Sequence, residues 1–182
     1  MLFKNIISYV MLLSTFSNQY ALADDAKNTP PASRTIKEAL KPNKVTQTAL
    51  AQGILGCIPR INQVTSYVGY NDNLGALIMA PASQPDQRLV PIVMEIPLST
   101  GNSAFVSSEF APNQANGCGA TFDAIVYWSE KCEAVGNKNF ASYKKAGVLA
   151  KDIQMLSDNL YNKVFLMPAG SGCISIKKEL VQ

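Results

Sequence analysis

Apolar residues recur at helical spacing through the first part of the chain and at alternating spacing through the rest, with the change near Leu74. Leu50, Ile54, Cys57, Ile58, Ile61, Val64 and Val68 form one stripe of about five turns. The stripe predicts a long amphipathic helix with its apolar side on a core, kinked or split near Pro59. Upstream, Thr35 and Glu38 match a capping box that opens a short helix, which Pro42 ends.

The later segments read as strands. Residues 74–80 form a short apolar run between an Asn-Asp-Asn cluster and Pro81, as in a buried strand. Residues 89–98 follow, with Pro91 and Pro97 arguing for an edge or a bulge because neither donates to a ladder. Residues 104–110 and 120–128 alternate. In the second of these, Ala120, Phe122, Ala124, Val126 and Trp128 share one face, and Thr121, Asp123, Ile125 and Tyr127 the other. Ser129 is placed to cap a second short helix near 129–137, with Glu130 and Glu133 in its first turn and Gly136 weakening its end. Three more strands are expected at 148–156, 161–167 and 173–181, the last two joined as a hairpin across 168–172. Short connections favour antiparallel pairing. The predicted fold is therefore α+β, a mainly antiparallel sheet of six or seven strands with a long N-terminal helix and a second short one.

The start of the chain changes where this domain is expected to work. Lys4, an apolar core over residues 6–16 and the small residues Ala21 and Ala23 read as an export signal over 1–23, cleaved between Ala23 and Asp24. Its apolar core is about half the roughly 20 residues a membrane-spanning helix needs. Residues 24–34 are polar, contain Pro30 and Pro31, and read as a flexible leader. The remaining residues, 35–182, are expected to form one disulfide-stapled domain, periplasmic or secreted, with no transmembrane anchor.

The four cysteines, Cys57, Cys118, Cys132 and Cys173, are too widely spaced for a redox CxxC or a metal knuckle. In an exported chain they are expected to form two disulfides and to hold no metal. A straight strand over 120–128 spans roughly 25–30 Å, which disfavours a Cys118–Cys132 bond. Cys118 and Cys173 both enter apolar strands from Gly-rich segments, whereas Cys57 and Cys132 both fall in helical pattern. The expected pairing is Cys118–Cys173 with Cys57–Cys132.

The chain contains no histidine. Ser-His-Asp triads, Cys-His proteases and His-ligated zinc hydrolases are thereby excluded. A net charge of +3 gives no basis for a nucleic-acid partner. No nucleotide loop or metal spacing occurs, and no cofactor is expected.

The expected function is a non-catalytic binding or interaction protein of the bacterial envelope, whose partner is an envelope protein or polymer. Its binding surface would gather Tyr127, Ile125 and Thr121 on one strand face, with Asn116, Gly117 and Ser171 in the neighbouring loops. The enzyme alternative is a hydrolase that pairs two of Glu95, Glu109, Asp123 and Asp152, or that sets Ser171 beside Lys177 or Lys178. A secreted inhibitor presenting the loop at 113–119 or 168–172 is a third alternative. The doublets Lys144-Lys145 and Lys177-Lys178 read as solvated faces, with an anion-binding basic patch as the competing view.

Overall fold

The structure, a computed structural model, describes residues 41–181. The expected signal at 1–23 with its cleavage at Ala23 and Asp24, the leader at 24–34 and the capping box at 35–38 lie outside those residues. Three short helices are described, α1 (Lys44–Ala51), α2 (Ile58–Tyr67) and α3 (Cys132–Asn139). Eight strands accompany them: β1 (Ala76–Ile78), β2 (Val90–Pro97), β3 (Ser103–Asn113), β4 (Gly117–Trp128), β5 (Lys144–Val148), β6 (Gln154–Ser157), β7 (Asn162–Ala169) and β8 (Gly172–Val181).

The single long helix expected over the apolar stripe is instead the pair α1 and α2. Asn43 caps α1 by accepting a hydrogen bond from the Thr46 amide. The helix then stops in a Schellman motif, where the Gly53 amide donates to the Leu50 carbonyl and the Ile54 amide to that of Ala49. Gly53 supplies the positive φ of +80° that this motif needs. Pro59 does not kink a helix but opens α2, where its fixed φ suits the first turn. Helix α2 ends in the same way as α1, at Gly69 and Tyr70. Ile54 and Tyr70, the residues that follow the two glycines, are both buried.

Helix α3 begins at Cys132 with Lys131 at its N-cap, not Ser129, and it runs through Gly136. A Cβ on that glycine would lie 3.2 Å from Leu166 Cδ1. Its role is close approach of helix to sheet, not termination.

The strands form one antiparallel sheet in the order β1-β2-β3-β4-β8-β7-β6-β5. The count is eight because β5 precedes the expected strand at 148–156, which holds the last residue of β5, the turn and most of β6; the β5–β6 pair has a bulge between Lys145 and Gly147. Strand β2 lies one position inside the edge. Pro91 accepts from the Met79 amide and the Glu95 amide donates to Gly75, so the odd-numbered groups of β2 face the β1 side. Both prolines thus direct their missing donors toward the short edge strand, where they interrupt little of the ladder.

One face of the sheet carries the core. Even-numbered residues of β2, β3 and β4 are mostly buried, among them Ile92, Val106, Phe110 and Phe122, and register continues this face through Ser175 of β8, Val164 and Leu166 of β7, and Leu156 of β6. Helix α2 covers the β3–β4 side, with Tyr67 packed on Phe122. Helix α3 covers the β6–β7 side through Gly136.

Both disulfides lie on this covered face, and their pairing differs from expectation. Cys57 bonds Cys118 and Cys132 bonds Cys173, with Cα atoms 5.0 and 4.9 Å apart. Each bond ties the start of a helix to the start of a strand. The reason is register: Cys173 sits opposite Trp128, at the far end of β4 from Cys118. Ten residues of strand put Cys118 and Cys173 about 33 Å apart, which forbids the bond that their similar surroundings suggested. Among the described residues no helix is long and apolar enough to cross a membrane.

Candidate functional site

The opposite face of the sheet has no helix on it among the described residues. Thr121, Asp123, Ile125 and Tyr127 of β4 point there, as the alternation predicted, and Tyr127 is 53% exposed. Register adds partners the sequence did not indicate. Phe105 pairs with Ile125, Ile125 with Ile176, Ile176 with Phe165, and Phe165 with Met155. These five residues form an unbroken apolar row across five adjacent strands, β3, β4, β8, β7 and β6. Tyr127, Ile174 and Met167 make a second row beside it. Phe105 is 51% exposed, and Leu77 and Leu180 are also exposed.

Charges are segregated across the same face. Glu95, Glu109 and Asp123 lie on β2, β3 and β4, while Lys178, Lys163 and Lys144 lie on β8, β7 and β5. Asp123 and Lys178 meet at the boundary between the two halves, 2.9 Å apart. Glu109 accepts hydrogen bonds from Ser107 Oγ at 2.9 Å and Thr121 Oγ1 at 3.0 Å. Lys163 donates to Ser157 Oγ at 2.7 Å and to the carbonyl of Asn159.

The remaining expected binding residues do not join this face. Asn116 and Gly117 form the β3–β4 turn, where the Asn113 side chain accepts from the amides of Ala115 and Asn116. Ser171 lies in the two-residue β7–β8 turn, beside the other end of β4. The two loops considered as inhibitory elements are therefore tight hairpin ends at opposite margins of the sheet. Both Lys doublets are split between faces. Lys177 lies on the helix side with Tyr67 and Glu179, and Lys178 on the open side with Asp123, so neither ammonium is engaged with Ser171. Lys144 and Lys145 likewise lie opposite Ser157 and Leu156, on different faces.

The carboxylates proposed for acid–base work are dispersed. Asp152 is in the β5–β6 turn, 3.8 Å from Lys151; the other three occupy three different strands of the open face. Glu109 and Asp123 are diagonal neighbours, yet one is held by two hydroxyls and the other by an ammonium. Among the described residues no group of three or more Cys, Asp or Glu side chains is placed to hold a metal ion.

Sequence reasoning missed a polar cluster between α2 and α3. Lys177 Nζ lies 3.2 Å from Glu179 Oε2 and 3.3 Å from Tyr67 Oη, with the rings of Tyr67 and Phe122 beside it. Burial works against the ammonium, but the Tyr67 hydroxyl and the Glu179 carboxylate outweigh it and raise the Lys177 pKa. For the nearby Tyr143 phenol burial itself is the main cause, and it raises the pKa. A cavity of about 230 Å3 adjoins Lys177, lined by Tyr67, Ile96, Ala104 and Phe122. No local signal marks this cluster, because it depends on α2 crossing β4.

In comparisons with known proteins the chain matches no family model, no curated protein and no solved structure.

Proposed function

We propose that this chain is an exported, non-catalytic interaction protein of the bacterial cell envelope that works through the open face of its sheet. The observation that carries the reading is the five-residue row from Phe105 to Met155, with Tyr127 in the row beside it, on a face that bears no helix among the described residues. Phe105 and Tyr127 are each about half exposed on it and the rest of the row is partly exposed; a contiguous exposed apolar patch bordered by charged groups marks an interaction surface. The sheet edges are poor alternatives: β1 has three residues, and β5 carries Lys144, Lys145 and a bulge, the features that discourage strand addition. The two disulfides suit an oxidising compartment.

The test is site-specific photo-cross-linking in the envelope. A photoreactive residue at Phe105 or Tyr127 is expected to give protein adducts, whereas one at Lys138 on α3 gives none. Absence of adducts from the open face, or turnover of a cell-wall or ester substrate by the purified protein, would overturn the reading.

A further inference from the structure

We propose that the occupant of the open face is the same face of a second copy of this chain, with the two-fold axis running along the β4–β8 junction. The inference rests on the interaction role argued above. It draws on the symmetry of the face, which that role does not require.

The β4–β8 junction is the midpoint of the eight-stranded order. A two-fold axis along it, lying in the plane between two facing sheets, sets β4 over β8, β3 over β7 and β2 over β6 of the other copy. Side-chain rows are preserved by this operation. Phe105 then faces Phe165 and Ile125 faces Ile176, so the four row residues on β3, β4, β8 and β7 cover their own counterparts, while Met155 at the β6 end lies over Glu95. Two-fold interfaces require such self-complementarity, and facing sheets pack close to this alignment.

The charges select this axis over the alternative. With the axis along the strands, the acidic half lies over the basic half: Asp123 stands over Lys178 and Ser107 over Lys163, while Lys144 at the β5 edge lies over Leu77. An axis across the strands would set each half over itself, carboxylate on carboxylate. At the centre, Asp123 of each copy lies over Lys178 of the other, and the two existing 2.9 Å pairs join into a ring of four alternating charges. Charge arrangements of this kind fix orientation and reject wrong registers.

The size also fits. Eight strands at about 4.8 Å and three side-chain rows at about 6.7 Å give a face of roughly 700 Å2, close to the ~800 Å2 each partner contributes to a standard interface.

Sedimentation velocity of the disulfide-bonded mature protein is expected to show a reversible dimer. Phe105→Asp, at a half-exposed position, and Lys178→Asp should each weaken association by roughly 100-fold or more, because like charges and buried unpaired charges are the costliest interface defects. The double exchange Asp123→Lys with Lys178→Asp should restore it, since the four-charge ring is rebuilt with its signs reversed. Circular dichroism and disulfide maps matching wild type exclude misfolding as the cause. A photoreactive residue at Phe105 should cross-link to the segment around Phe165 of the other copy.

A wild-type monomer at every accessible concentration would overturn the proposal. So would a dimer indifferent to Lys178→Asp, or a monomer whose Phe105 and Tyr127 are shielded from solvent labelling by residues 24–40. A monomer that still gives open-face adducts with a different envelope protein would sink the self-pairing and leave the interaction role standing. No adducts at all would sink both.

Discussion

The phenol of Tyr127 lies across Gly172, so that a Cβ on the glycine would stand 2.6 Å from Tyr127 Oη and 2.9 Å from Cε2. The Trp128 carbonyl oxygen crowds the same point. The exposed aromatic ring thus covers the bare backbone at the start of β8. Gly172→Ala is expected to cost about 1–3 kcal/mol, as overpacking does, in urea unfolding. Tyr127→Ala in the same background should recover only part of it, because the Trp128 carbonyl remains.

The two disulfides close separate, non-overlapping stretches of chain, 61 and 41 positions apart. In the chain-entropy account each loop of this length stabilises by about 4 kcal/mol. Replacing either pair by alanine should lower unfolding free energy by about that amount, with additive losses when both are removed. Non-reducing peptide mapping should recover Cys57 linked to Cys118; a Cys57–Cys132 peptide would contradict the structure.

Alkaline pH should weaken the fold on the helix side. Lys177 has a raised pKa when folded, so its contribution is whole below the unfolded value of about 10.4 and disappears as pH rises through the folded one. The partly buried Tyr143 phenol, also raised, acts in the same direction from about pH 10 upward. Lys177→Met and Tyr143→Phe should each flatten the decline of stability above pH 10. Superimposable pH profiles for wild type and both variants would refute this linkage.

Between α1 and α2 lies a small buried polar network. Asn43 Nδ2 donates to Thr65 Oγ1 at 2.6 Å, Thr65 Oγ1 donates to the Ile61 carbonyl at 2.8 Å, and Thr46 Oγ1 lies 3.1 Å from Asn62 Oδ1. Thr65→Val keeps the shape and removes the acceptor for Asn43. The expected loss is about 1–3 kcal/mol, with faster amide exchange in α1 than in β4.

What the sequence revealed and what it hid divide along one physical line. The alternation over 120–128 gave both faces of β4 correctly, since side-chain direction follows from local geometry. The half of the site on that strand, Thr121, Ile125 and Tyr127, was therefore legible. Phe105, Ile176 and Phe165 joined it only through register, which no single strand encodes. The disulfide pairing failed for the same reason: Cys118 and Cys173 look alike locally and lie at opposite ends of β4. Strand β5 was missed because Lys144, Lys145 and Gly147 show no apolar alternation on a fully exposed edge. The unbroken stripe from Leu50 to Val68 concealed the break at Gly53, because the connecting residues Ile54 and Cys57 are themselves buried.

The strand order also divides the molecule unevenly in time. Every strand pairing joins neighbours in sequence except β4 with β8, and each disulfide closes within its own half, Cys57–Cys118 before that seam and Cys132–Cys173 after it. Each half holds a four-strand meander with its own helix cover and its own covalent clasp, assembled from short-range contacts that form quickly. The seam must wait for both. An opened seam therefore leaves two covalently closed halves able to find each other again, or to close on the halves of another chain, without any bond being exchanged.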